Sequence, residues 1–409
     1  MIEFDFGPIL DPRDPPVPAG VRTESGLRTR DASALREFLT PFLPDYGITR
    51  VAHLTGFDYV GLPVHMAVKP QGRTLSSGSG KGPTADASWV SAVMECAEQA
   101  VWEGLVLESV SASQEIMQRM GVTVASGHDL PQLKGALWSE HVPVNWVAGW
   151  DIVNGEEVWV PEALVTVQSQ VQGPVRMFVS GSNGLASGAH ILEAILSGLQ
   201  EAIERDGICL RTDVEPGPHV RVNELLRECA PEIAEKIDRS GLLLDGVDAT
   251  TELGVPTAVV YLNESEGGTT GSFKGAGAGV SMRTALVRAV TEAAQARCLI
   301  VAGARDDIFE TGRSSSRVAA PARVLPEEQL ADGTDFGSGD VLRDLKWMVS
   351  RLVDNGFPRV IVIRHTKPDE PVQVARVIVP GIEGYMFSYA AMGNRAAKWS
   401  TALMEGTPR

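Results

Sequence analysis

"ITRVAHL" and "GLPVHMAVKP" are short runs rich in β-branched and apolar residues and predict strands of a mixed strand region. "VPTAVVYLNES", "FPRVIVIRHT" and "VQVARVIVP" carry β-branched runs of strand length. "VAGWDIVNGEEVWVP" alternates on both sides of Asn154-Gly155, a pair suited to a type I′ turn, and so predicts a hairpin. A longer period governs three other segments, roughly Asp86–Leu105, Ala189–Cys209 and Met282–Ala304, which read as helices. In the second of these, Ile191, Leu192, Ile195, Leu196, Leu199 and Ile203 form one apolar face. Each helix follows a glycine-rich stretch: "SSGSGKGPT", "SGSNGLASG" or "KGAGAG". Such stretches read first as turn or loop glycine. Residues 11–20 form a Pro-rich arm, and Gly312 to Asp340, rich in Ser, Pro, Ala and Gly, predicts a long surface loop. Strands and helices interleave throughout, which gives an α/β (α+β) chain with no composition break between independent domains.

Polar residues recur at i, i+4, i+7 in each helix: Ser91/Glu95/Glu98, Ser197/Glu201/Glu204 and Arg288/Glu292/Gln295. The members of such a triplet fall within about 60° of one another, so each helix carries one polar stripe. On any single helix a stripe of this kind is read as a solvated face. Three features pull the other way. Trp102 lies beside Glu95 and Glu98, and Leu299 continues the third stripe, both odd on a wet surface. Each stripe follows glycines that would let backbone N–H groups meet a phosphate at a helix start. The spacing also repeats in three otherwise different sequences. If the stripes converged, two carboxylates about 5 Å apart would repel by roughly 3 kcal/mol at an effective dielectric of about 20. Divalent cations that hold phosphates would remove that conflict, with Lys81, Arg205 and Arg288 adding direct positive charge. The glycines alone say little, since "GSGKGPT" is not a Walker A loop and "GAGAGV" is not G-x-G-x-x-G.

Composition narrows the classes. With 409 residues, 44% of them hydrophobic, the chain is long enough for one large or two medium cores. A net charge of −16 argues against wrapping nucleic acid or lying on an anionic membrane. The chain has no apolar run of membrane-spanning length, and its first residues lack a signal-peptide pattern. Cys96, Cys209, Cys229 and Cys298 occur singly, without zinc spacing, and read as free thiols of a cytoplasmic protein.

Three blocks, "GKGPTADASWVSAVMECAEQ", "SNGLASGAHILEAILSGLQEAIERD" and "GAGAGVSMRTALVRAVTEAAQARCLIVAGARDD", occur in that order. Together they resemble the YcaO superfamily, ATP-using enzymes that activate backbone amides in ribosomally made peptides. The stretch Gly47 to Pro70 is similar to the family's stand-alone branch, which includes bottromycin-type heterocyclases and TfuA-associated thioamidation enzymes. The resemblance implies duplicated mixed sheet-and-helix halves around a non-P-loop ATP site. It also implies an arm and first helix over 1–46 ahead of one catalytic domain over 47–409. It makes ATP and Mg2+ the cofactors, with Glu95, Glu98, Glu193, Glu201, Glu204 and Glu292 on the metal. Lys81, Ser91, Arg205, Arg288 and Gln295 would then face the nucleotide. Arg305, Asp306 and Asp307 match the family's "RDD" end. The sequence departs from the family where Gln99 stands in place of the arginine of E-x-x-E-R, and where Ala189 replaces a polar residue. The end, "TALMEGTPR", lacks the Pro-rich tail of many partner-dependent azoline synthetases.

The implied reaction adds a nucleophile to a peptide carbonyl, phosphorylates the resulting oxyanion from ATP and expels phosphate. The physical need is a leaving group, because an amide oxygen is a poor one and a phosphorylated oxygen is good. Oriented positive charge on the transferring group does the rest. The scattered histidines show no catalytic set, and His190, next to the second glycine stretch, is the least ordinary of them as a base. A substrate cysteine as nucleophile gives a thiazoline, ranked first. External sulfide delivered with a TfuA-type partner gives a thioamide, and the substrate's own amine gives a macroamidine. The expected partner is a ribosomal precursor peptide, and a homodimer is allowed. A reading from another class is a nucleotide-binding scaffold without amide chemistry, which the complete acidic set argues against.

Overall fold

A computed structural model describes residues 4–17, 19–167, 176–215, 217–264, 271–304, 339–384 and 389–405. Arg305, Asp306 and Asp307, and most of the Gly312–Asp340 stretch expected to be a loop, lie outside these residues.

The chain opens with the hairpin β1 (Val21–Thr23) and β2 (Gly26–Arg28), then α1 (Ala32–Leu39). Strands β3 (Arg50–His53), β4 (Val64–Val68) and β5 (Ser77–Lys81) lead to helix α2 (Ala85–Gly104). Next come β6 (Val110–Ala112), α3 (Gln114–Arg119), β7 (Val144–Asp151) and β8 (Glu156–Pro161). Strand β9 (Leu185–Gly188) runs into α4 (Ile191–Ile208). After β10 (His219–Val220), α5 (Val222–Cys229) and α6 (Pro231–Ser240) come β11 (Leu243–Asp248), β12 (Thr257–Asn263) and β13 (Ser272–Ala278). Helix α7 (Met282–Val301) follows, and α8 (Val341–Asp354), β14 (Ile361–Arg364), β15 (Gln373–Ile378) and α9 (Asn394–Met404) complete the chain order.

These elements divide into two units. The first comprises Met1–Val17, Glu98–Glu215 and Leu342–Arg409, and the second Pro18–Ala97 and Pro216–Val341. The first unit is built on a sheet in the order β6-β7-β14-β15-β9, with β8 on β7. Trp146, Val158, Val160 and Ile361 form its core, and α4 packs on β9 and β15. The second unit holds the antiparallel sheets β3-β4-β5 and β10-β11-β12-β13. There α7 lies on β12 and β13, and its Leu286, Val290 and Ala293 share a core with Val260, Leu262 and Ile237. Arg297 of the same helix is 2% exposed and paired with Asp58 at 3.2 Å and Glu264 at 3.0 Å.

The predicted strands and helices form at nearly the predicted residues, and two expectations are corrected. The hairpin β7–β8 exists, but Asp151 pairs with Glu156 across a four-residue turn in which only Gly155 has positive φ, at 64°. Asn154 instead uses its side chain, donating to Asp151 Oδ2 at 2.7 Å and to the Pro358 carbonyl at 2.9 Å. The glycine-rich stretches are not chiefly loops either. "SGSGK" is β5 and "KGAGA" lies in β13, with glycine at alternate positions. A Cβ on Gly80 would lie 2.1 Å from both Ala92 N and Ser88 O, and one on Gly275 2.1 Å from Ala289 O. These glycines bring helix backbone directly onto strand backbone, a close approach that any side chain would block.

Candidate active site

That close approach seats the striped faces of α2, α4 and α7, and none of the stripes is a fully wet surface. Ser91, Glu95, Glu98, Ser197, Glu201, Arg288 and Glu292 are half-buried, while Glu204 (5%) and Gln295 (9%) are buried. The solvated-face reading of the single helices therefore fails.

In the second unit, Lys81 at the end of β5 forms an ion pair with Glu292 of α7. Glu95 accepts a hydrogen bond from the Ser79 backbone N–H at 3.2 Å, which ties α2 to β5 at the carboxylate itself. Arg288 stands over β13 at Gly277, one turn before Glu292 on α7.

In the first unit, Glu201 faces Arg205 one turn later on α4, at 3.4 Å. Burial pushes the Glu201 carboxyl above its usual range, and the charges of Arg205 and Arg376 and a backbone hydrogen bond from Gly184 oppose this. Arg376, on β15, is 1% exposed, and burial pushes its guanidinium down to about 10 against the pull of Glu201 and Glu98. Sequence reading missed Arg376. The signal was present, since the arginine is the one charged residue in the largely apolar run of "VQVARVIVP". Glu193 is buried at the start of α4, against Gly188.

His190 has a structural task that accounts for its place next to the glycines. Its Nδ1 accepts from the Leu192 N–H at 3.2 Å, capping α4, and its Nε2 lies 3.0 Å from the Pro15 carbonyl oxygen. The tautomer that satisfies both contacts carries its proton on Nε2, so neither nitrogen is left to act as a base.

Among the described residues, no three carboxylate, histidine or cysteine side chains already stand together as a metal-binding group. Carboxylate oxygen is the donor type that Mg2+ takes, and within each unit the acids of the stripes offer it partly or wholly withdrawn from water. No helix among the described residues is long and apolar enough to cross a membrane. The four cysteines are free, with Cys229 half-buried and the others buried.

Comparison with known proteins fits this arrangement. Residues 79–383 match the family described as YcaO cyclodehydratase, ATP- and Mg2+-binding. The chain belongs to the YcaO family. A protein of Rhizobium leguminosarum bv. trifolii, described only as lying in the tfuA 3′ region, is 31% identical over 88% of this chain and 89% of its own length. An uncharacterised protein of Methanothermobacter thermautotrophicus is 28% identical over 85% of this chain and 93% of its own. Among solved structures, YcaO from Methanopyrus kandleri bound with AMPPCP and Mg2+ superposes with a TM-score of 0.73. That match is at 22% identity and covers 92% of this chain and 98% of that one. A heterocyclase in complex with substrate and cofactor gives 0.70 at 21% identity, over 88% of this chain and 53% of that one. These two likenesses establish the YcaO fold, here mixed α/β with several sheets.

Proposed function

We propose that the protein activates a backbone amide of a ribosomally made peptide at the expense of ATP. The observation that carries this reading is the family match across residues 79–383, which spans the acidic residues of all three helices. Glu95, Glu98, Glu201, Glu204 and Glu292, with Glu193, would hold Mg2+, which supplies positive charge to the phosphates when bound. Lys81, Ser91, Arg205, Arg288 and Gln295 would orient the nucleotide. The buried or half-buried setting of these groups strengthens each interaction relative to water. Once a nucleophile has added to the amide carbon, the carbonyl oxygen takes the terminal phosphoryl group of ATP. It departs as phosphate when the carbon regains its double bond.

Of the three products that fit this chemistry, two draw support from a comparison. Thiazoline formation, from a substrate cysteine, follows the heterocyclase likeness. The relative in the tfuA 3′ region favours the other, a thioamide, in which sulfide from a TfuA-type partner replaces the amide oxygen. On that observation thioamidation becomes the preferred reading. Incubation of the protein with ATP, Mg2+, a precursor peptide, sulfide and the partner, read by mass spectrometry, separates the cases. Exchange of one oxygen for sulfur supports thioamidation, and loss of one water supports a thiazoline or amidine ring. Intact peptide with no ATP turnover refutes amide activation and favours a scaffold.

A further inference from the structure

We propose that Arg376 and Asn183 form a seat for inorganic phosphate inside the first unit, where the phosphate released by amide activation rests before it leaves. This rests on the reading above that phosphate is a product.

A cavity of roughly 100 Å³ lies beside α4 and β15, with Ser182, Asn183, Glu201, Arg205 and Arg376 among its lining residues. Its remaining walls are largely apolar, including Leu164, Val179 and Ile382. Arg376 uses only one edge of its guanidinium, with Nη1 donating to the Asn183 carbonyl at 2.7 Å. Nε and Nη2 are buried and have no hydrogen-bond partner among the described residues. These two nitrogens form the side-on fork of arginine, whose parallel N–H groups meet two oxygens of one oxyanion. Buried donors left unpaired cost free energy that a protein rarely tolerates without purpose. The Trp102 ring, with the guanidinium carbon 5.5 Å from its centroid, holds the arginine in place.

Asn183 narrows the choice of oxyanion. Its Oδ1 is also buried and unpartnered among the described residues, and it is an acceptor. A carboxylate or the terminal phosphoryl group of a magnesium nucleotide brings only lone pairs to it. Inorganic phosphate at neutral pH keeps at least one P–OH, which can donate to Oδ1 while two other oxygens take the Arg376 fork. Arg205 lines the same cavity and adds positive charge. Glu201, one of the groups assigned to Mg2+, lines it too, so a phosphate here would lie next to the site where it is formed.

The test is calorimetric titration of the full-length, nucleotide-free protein with inorganic phosphate, and separately with acetate. Saturable phosphate binding is expected, weakened at least tenfold in Arg376→Gln and severalfold in Asn183→Ala, with acetate binding far more weakly. Should Arg376→Gln fail to fold by circular dichroism, Asn183→Ala carries the test, along with relief of phosphate inhibition of ATP turnover in that variant. Wild-type protein that takes up no phosphate at millimolar concentration overturns the proposal, as does unchanged affinity in Asn183→Ala. Acetate binding as tightly as phosphate reassigns the seat to a carboxylate and overturns it too. Phosphate binding without any peptide modification sinks the amide-activation reading while leaving the seat intact.

Discussion

Replacing Gly80 with alanine tests how the α2 carboxylates are positioned. The new Cβ would stand 2.1 Å from both Ala92 N and Ser88 O and 2.8 Å from Ala92 Cα. All three are main-chain atoms of α2, so no side chain can turn aside. Relief to an ordinary contact of about 3.4 Å requires the helix and strand to separate by roughly 1.3 Å. That movement would break the 3.2 Å hydrogen bond from Ser79 N–H to Glu95. Overpacking of this kind costs about 1–3 kcal/mol, set against about 0.4–1 kcal/mol gained by restricting the unfolded chain. A net loss of about 1–2 kcal/mol in urea denaturation is therefore expected, together with weaker Mg2+-dependent ATP binding. Gly56→Ala is the control, because nothing lies within 4 Å of its Cβ and its φ is not positive. If Gly80→Ala matches Gly56→Ala in both stability and nucleotide affinity, strand β5 does not set the height of Glu95.

Further outcomes follow from other sites. Glu201→Ala should reduce peptide-dependent ATP turnover on the order of a hundredfold or more while leaving the circular dichroism spectrum unchanged; full activity removes Glu201 from the site. His365 is partly exposed overall, but its ring nitrogens are cut off from water, and burial with the Arg376 charge pushes it from 6.5 down to about 3. The unfolded chain therefore binds a proton that the folded one refuses between those values, so stability falls as pH drops through that window. At about pH 5.5 the loss is about 1.4 kcal/mol, and His365→Leu should flatten that part of the pH–stability curve; an unchanged slope refutes the assignment. Arg297→Met should cost about 3–5 kcal/mol in urea denaturation, because it strands the Asp58 and Glu264 charges, and adding Asp58→Asn should recover part of the loss. A cost below about 1 kcal/mol would mean that the buried pair is not maintained in solution.

Periodicity made the elements legible. The three helices begin and end within a few residues of the expected positions, because amphipathic spacing over five turns outweighs local ambiguity. The stripes were legible too, and so was the set of acids they carry. What the chain order hides is partnership across sequence distance. "SGSGK" looks like a turn because the helix that covers it contributes only backbone, which leaves no complementary side-chain pattern to read. Arg376 lies 175 residues from Glu201, and nothing local tells its burial from a surface arginine except the apolar run around it. The task of His190 depends on a carbonyl at Pro15, which no spacing rule connects to it.

Where main chain rests on main chain, the elevation of a helix is a property of the peptide backbone and not of the fit of its side chains. Lineages are then free to exchange the aliphatic residues elsewhere in the interior without disturbing the carboxylates. The same economy makes the supporting glycines irreplaceable. Drift in such a protein should spare a few of its smallest residues while altering many of its largest.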